Sequence, residues 1–176
     1  MAMDLASSPT ARDANAAIRA TFGPLSVVML ENTELSPAWR VNFLANFFVG
    51  PLYRELQERY GLSRPQFVVL YCLAQQPGLV ARDVSLVTGL PKNSISRAVS
   101  ELLNAGRVRR GTDDADKRAK PLSLTAQGDA LLAEVVPLFI ARQTAMLEPL
   151  DPDEKLMFQR LLDKIIDHMP TWVDAE

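Results

Sequence analysis

A chain of 176 residues, 48% hydrophobic and 23% charged, is long enough to bury one real core and lacks the composition of a disordered protein. Its net charge of −2 excludes a chain that is basic throughout. It leaves room for a local basic face, because binding depends on where the cations cluster.

Residues 1–35 are rich in Ala, Ser, Thr and Asp and show little periodicity apart from the Leu25–Leu30 patch, so a loose arm is expected, partly disordered or packed on a partner subunit. Ser36-Pro37 is a helix start, and Trp39, Phe43 and Phe47 then recur every four residues on an apolar face that runs to about Tyr60. Pro51 inside this run removes a helix hydrogen bond and predicts a kink or a break. Ser63 with Pro65 starts a second helix, which Pro77-Gly78 ends. A third, short helix is expected over Ala81–Thr88, then a turn at Gly89, then a fourth helix from Pro91 to about Ala105, stopped by Gly106. Apolar-polar alternation in Arg107–Gly111 and Pro121–Leu124 predicts two strands joined by the polar segment Thr112–Lys120. A long helix follows from near Thr125, with Pro137 expected to bend it, and Asp151-Pro152-Asp153-Glu154 opens the last. The last helix carries an apolar stripe of Leu161, Leu162, Ile165, Ile166 and Met169.

This order predicts a mainly α protein with a minor β part: a winged helix-turn-helix with a two-stranded wing. The DNA-binding region spans 61–124, and helical dimerisation regions span 36–60 and 125–170.

The chemistry concentrates in Leu90–Leu103. Ile95, Val99, Leu102 and Leu103 share one helix face, and Lys92, Asn93, Ser94, Ser96 and Arg97 form the other. A recognition helix needs this division, with one face holding it to the domain and the other offering donors to base edges and phosphates. Between Lys92 and Lys120 stand eight basic and four acidic residues, a net +4, while the rest of the chain carries −6. A basic segment in an acidic protein is the footprint of a directed DNA face. Arg64 is a further basic candidate for DNA contact.

The stretch from Leu79 to Gly128 resembles the MarR family of transcriptional regulators. Pro91–Arg97 is similar to the start of that family's recognition helix, and Gly106–Arg110 to its helix end and first wing strand. Asp113–Ala119 resembles its wing-tip motif, and Leu122–Gly128 its second strand running into the long dimer helix. Two positions depart from the motif: Asp114 stands where proline is usual, and Lys117 where arginine is commoner. The resemblance implies that Arg118 enters the minor groove, that Asp116 braces it or shapes the turn, and that Lys117 and Lys120 add to the contact.

The resemblance further implies a homodimer on a pseudo-palindromic double-stranded DNA operator and a small effector, commonly aromatic and anionic, that relieves repression. Regulators of aromatic catabolism are the subgroup favoured here. Trp39, Phe43, Phe47 and Tyr71 are the candidate apolar pocket, with Arg40 and Asn46 as its polar groups.

Two alternatives stand beside this: a winged-helix protein-interaction module, and a redox-sensing regulator acting through Cys72. The protein has one cysteine, which rules out an intramolecular disulfide framework and points to a reducing compartment. Residues 1–10 lack the basic and apolar regions of a secretory signal. The early apolar patch at 24–30 is far short of the ~20 residues of a membrane helix, so a cytoplasmic protein with no membrane partner is expected. His168 is the only histidine, so no His-based metal cluster or catalytic triad is expected, and neither is a cofactor or an enzyme activity.

Overall fold

The structure, a computed structural model, describes residues 9–111 and 121–173. In chain order it has α1 (Pro9–Phe22), α2 (Pro24–Glu31), α3 (Ser36–Tyr60), α4 (Arg64–Gln75), α5 (Ala81–Thr88) and α6 (Lys92–Asn104). Strands β1 (Val108–Arg110) and β2 (Leu122–Leu124) follow, then α7 (Ala126–Leu147), α8 (Pro152–His168) and a 3-10 turn over Met169–Thr171. The chain divides into two compact units, Met1–Gly50 and Pro51–Glu176, at a point inside α3.

The first unit corrects the expectation of a loose arm, because residues 9–31 form two helices. Gly23, at φ 83, makes the turn between them in a conformation that suits glycine, and Pro24 opens α2. Val27 and Leu30, three apart, bury one face of α2, and Asn15 Nδ2 donates to Glu31 Oε2 at 3.1 Å. An eight-residue helix is too short to show a clear apolar period, which is why the sequence pattern hid it.

Neither internal proline ends its helix: α3 continues through Pro51 and α7 through Pro137. Of the kink or break expected at Pro51, the break is absent. One missing hydrogen bond is offset by burial of the neighbouring turns, with Leu52 and Leu56 buried after Pro51 and Leu132 and Val135 buried before Pro137.

The second unit is built on one core, in which Leu56, Leu62, Leu70, Leu73, Val84, Ile95, Leu102 and Val135 are fully buried. Tyr71, Phe67 and Phe139 stack in sequence, with ring centroids 5.7 and 4.2 Å apart. The strands pair antiparallel in the register Val108↔Leu124, Arg109↔Ser123 and Arg110↔Leu122. The other edge of β2 is also occupied. Gly78 N–H donates to the Leu122 carbonyl at 2.8 Å, and Leu122 N–H to the Leu79 carbonyl at 3.0 Å. The base of the wing is therefore tied to the turn that precedes α5.

Candidate nucleic-acid interface

Helix α5 and the turn after it set the position of α6. Gly89, at φ 64, adopts the left-handed conformation that ends α5, and its N–H donates to the Ser85 carbonyl at 3.0 Å. Ser85 is buried, and its hydroxyl donates to the Leu90 carbonyl at 2.7 Å. The turn between the two helices is thus pinned from inside, and α6 starts directly beyond it.

On α6, Ile95, Ala98, Val99 and Leu102 are buried against the core. Lys92, Asn93, Ser96 and Arg97 are exposed, and Ser94 is half-buried. All five candidate residues of the helix therefore lie off its buried face, on one continuous donor-rich surface. The sequence reading placed Leu103 on the apolar face, and it is half-buried there, while Ala98 is buried in addition.

The face also holds a residue that sequence reasoning passed over. Arg97 Nε donates to Glu101 Oε1 at 2.9 Å, and Gln66 Nε2 of α4 donates to Glu101 Oε2 at 2.8 Å. The i, i+4 spacing of Arg97 and Glu101 is the signal that could have found the first bond. Gln66, 35 positions away, gives no such signal. Ser63, Pro65, Ser94, Arg97, Ala98 and Glu101 line an open cleft of about 270 Å³ beside this pair.

Arg64 is exposed at the head of α4, with its guanidinium 5.6 Å from the centroid of the Tyr53 ring. Burial pushes the Tyr53 hydroxyl above its ordinary pKa, and the Arg64 charge opposes that shift. On β1, Val108 is buried while Arg109 and Arg110 are exposed, so the wing base presents two further cations absent from the candidate set. The wing residues Asp116, Lys117, Arg118 and Lys120 lie outside the described residues.

The wing base is closed by Thr125, the N-cap of α7. Its hydroxyl accepts from Gly128 N–H at 3.2 Å and donates to the Gly106 carbonyl at 2.7 Å. Its own N–H donates to the Arg107 carbonyl at 3.1 Å.

The effector candidates fall in both units. In the first, Phe43 and Phe47 come together with ring centroids 4.5 Å apart, and Phe22 joins them at 5.2 and 4.6 Å. Phe22 lies in a segment with little apolar periodicity, so no sequence pattern marks it. Trp39 is half-buried, and Arg40 and Asn46 are exposed. In the second unit, Tyr71 is engaged with Phe67. Cys72 is half-buried, and burial pushes its thiol above the ordinary range. His168 is exposed at the end of α8, with Thr171 Oγ1 3.2 Å from its Nε2. Among the described residues, no group of three or more His, Cys, Asp or Glu stands together to hold a metal ion.

Comparison with known proteins gives one consistent answer. A MarR family model matches residues 60–119. Transcriptional regulator HosA of Escherichia coli is 31% identical over 108 residues, which cover 60% of this chain and 78% of HosA. An HTH-type transcriptional repressor of Mycobacterium tuberculosis is 30% identical over 105 residues, covering 60% of this chain and 76% of the repressor. Among solved structures, the PcaV transcriptional regulator of Streptomyces coelicolor, in complex with its natural ligand, superposes with a TM-score of 0.61 at 25% identity. That match covers 78% of this chain and 94% of PcaV.

Proposed function

Because the chain belongs to the MarR family of transcriptional regulators, we propose that it is a homodimeric, sequence-specific repressor released from its operator by a small aromatic acid. The observation that carries the DNA-binding part is the exposed, donor-rich face of α6 at Lys92, Asn93, Ser96 and Arg97, backed by a helix face buried in the core. A protein-interaction module would present an apolar face there instead. The similar Mycobacterium tuberculosis protein is named a repressor, which supports the sign of regulation.

The dimer is supported by apolar surface that the single chain leaves uncovered. Helix α8 buries none of its residues, and Leu161, Ile165 and Ile166 are 53%, 56% and 57% exposed. Helix α7 is long and apolar enough by composition to cross a membrane. Its Leu132 and Val135 instead enter the core, and its Ile140 and Met146 stay exposed. Apolar surface on this scale needs a partner, and a second copy gives two recognition helices for half-sites ~34–36 Å apart.

The effector reading is supported by PcaV, which was solved with its natural ligand bound, and by the aromatic residues of α3. The redox alternative loses support, because a half-buried thiol with a raised pKa holds little thiolate at neutral pH.

The test is selection from a random duplex library, followed by titration of the selected and scrambled duplexes at several salt concentrations, with light scattering for mass. A dimer that prefers a pseudo-palindrome, with affinity falling steeply with salt, is expected. Equal affinity for both duplexes would sink the sequence-specific role. A thermal-shift screen of small aromatic acids tests the effector, and no shift with any of them would remove that part alone.

A further inference from the structure

We propose that Gln66 and Glu101 form a positioning clamp that fixes the Arg97 guanidinium for base recognition, an inference that rests on the DNA-binding role proposed above. Three hydrogen bonds run in series from the head of α4 to the open face of α6. Ser63 backbone N–H donates to Gln66 Oε1 at 2.8 Å. Gln66 Nε2 donates to Glu101 Oε2 at 2.8 Å, and Arg97 Nε donates to Glu101 Oε1 at 2.9 Å.

The direction of the series follows from its first member. A backbone N–H can only donate, so it takes Gln66 Oε1 and leaves Nε2 facing away toward the carboxylate. Each Glu101 oxygen then has its own donor, and the carboxylate cannot turn without losing one. The series is anchored on backbone at one end and finishes on an arginine whose side chain is 83% exposed.

An exposed arginine on a helix ordinarily samples many rotamers. Holding it by Nε leaves its two Nη groups, the edge that pairs with guanine O6 and N7 or with a phosphate. A carboxylate at this place is otherwise unfavourable for DNA binding, because it faces the same phosphates that the neighbouring cations attract. Its contribution is therefore orientation of Arg97, at some expense in affinity for random DNA.

The experiment measures base preference, position by position, by competition against the duplex that wild-type protein selects, at one fixed salt concentration. Arg97→Ala identifies the base pair whose preference depends on Arg97. Gln66→Met removes the donor to Glu101 without changing charge. Gln66→Glu keeps the acceptor for Ser63 N–H but replaces the donor to Glu101 with an acceptor. Both are expected to lower the preference at that base pair about three- to tenfold and to leave the other positions unchanged. Glu101→Gln should do the same and also tighten binding to random DNA. In the Arg97→Ala background, Gln66→Met should have no further effect. Melting curves confirm that each variant is folded.

The clamp is overturned if Arg97→Ala changes no single base pair, or if the Gln66 variants keep the wild-type preference. It is also overturned by a loss spread evenly over all positions, which would make the bonds a plain tie between α4 and α6. A wild-type protein that selects no sequence would overturn the DNA-binding role and the clamp with it. Selection by wild type with unchanged variants overturns the clamp alone.

Discussion

Gly128, in the first turn of α7, lies directly against the backbone carbonyl of Arg107, and a Cβ at position 128 would overlap that oxygen. The same carbonyl accepts from Thr125 N–H at 3.1 Å, so the end of α6, the first wing strand and the start of α7 meet at one point. Gly128→Ala must push the helix and strand apart. We expect a loss of about 2 kcal/mol or more, as for overpacking of a closed site, visible as a lower Tm and a lower denaturant midpoint. An unchanged Tm would mean that this junction yields freely.

The recognition face predicts different effects for different residues. Asn93→Ala should relax base preference at one position, at a cost of about 1–3 kcal/mol against the best duplex. Lys92→Ala should weaken all duplexes alike and make the salt slope shallower by about 1, the mark of one lost phosphate contact. Titration of selected and scrambled duplexes at four salt concentrations reads both quantities. A uniform loss for Asn93→Ala would reassign it to the backbone.

The wing prediction stands on the sequence motif. Arg118→Ala should weaken binding most for operators with A/T-rich flanks, because a narrow minor groove concentrates negative potential there. The comparison is between two duplexes with the same centre and different flanks. Equal loss on both would make Arg118 an ordinary phosphate contact.

Much of this was legible in the chain. The turn at Gly89, the stop at Gly106 and the apolar positions of α6 are local signals, and each element they mark is present. The hidden features depend on distant partners. Pro77-Gly78 reads as a helix end, yet Gly78 and the following Leu79 hydrogen-bond the far edge of β2. Gln66 carries no signal of its long-range bond in the sequence: it accepts from Ser63 N–H at the head of α4, and its other end reaches a carboxylate on α6. Residues 24–31 lacked a long apolar period because α2 is only eight residues long, with Val27 and Leu30 buried. At prolines 51 and 137 the helices continue, because burial on neighbouring turns outweighs one lost bond.

Cys72 gives a prediction with a sign. Burial raises its pKa in the folded protein, so the folded state holds the proton more tightly than the unfolded chain. The resulting stability is present below the ordinary thiol range and is lost as pH rises through the raised pKa. Alkylation at neutral pH should be slower than for free cysteine and should accelerate only in alkaline buffer. DNA binding should survive brief treatment with mild peroxide. Fast alkylation at pH 7, or release of DNA by peroxide, would restore the redox alternative.

Helix α8 carries an exposed apolar stripe. Leu161 and Ile165, four apart on one face, are each more than half exposed. Ile165→Glu adds a charge where two copies would meet, and its cost falls mainly on association, because the residue is 56% exposed within its own chain. The variant should run as a monomer in light scattering and keep its helical content. Its affinity for a full pseudo-palindrome should fall toward that of a single half-site, on the order of a hundredfold or more, since the second recognition helix no longer binds in the same event. Affinity for an isolated half-site should stay near the wild-type value. A variant that remains dimeric would place the interface elsewhere, with the exposed apolar residues of α7 the next to change.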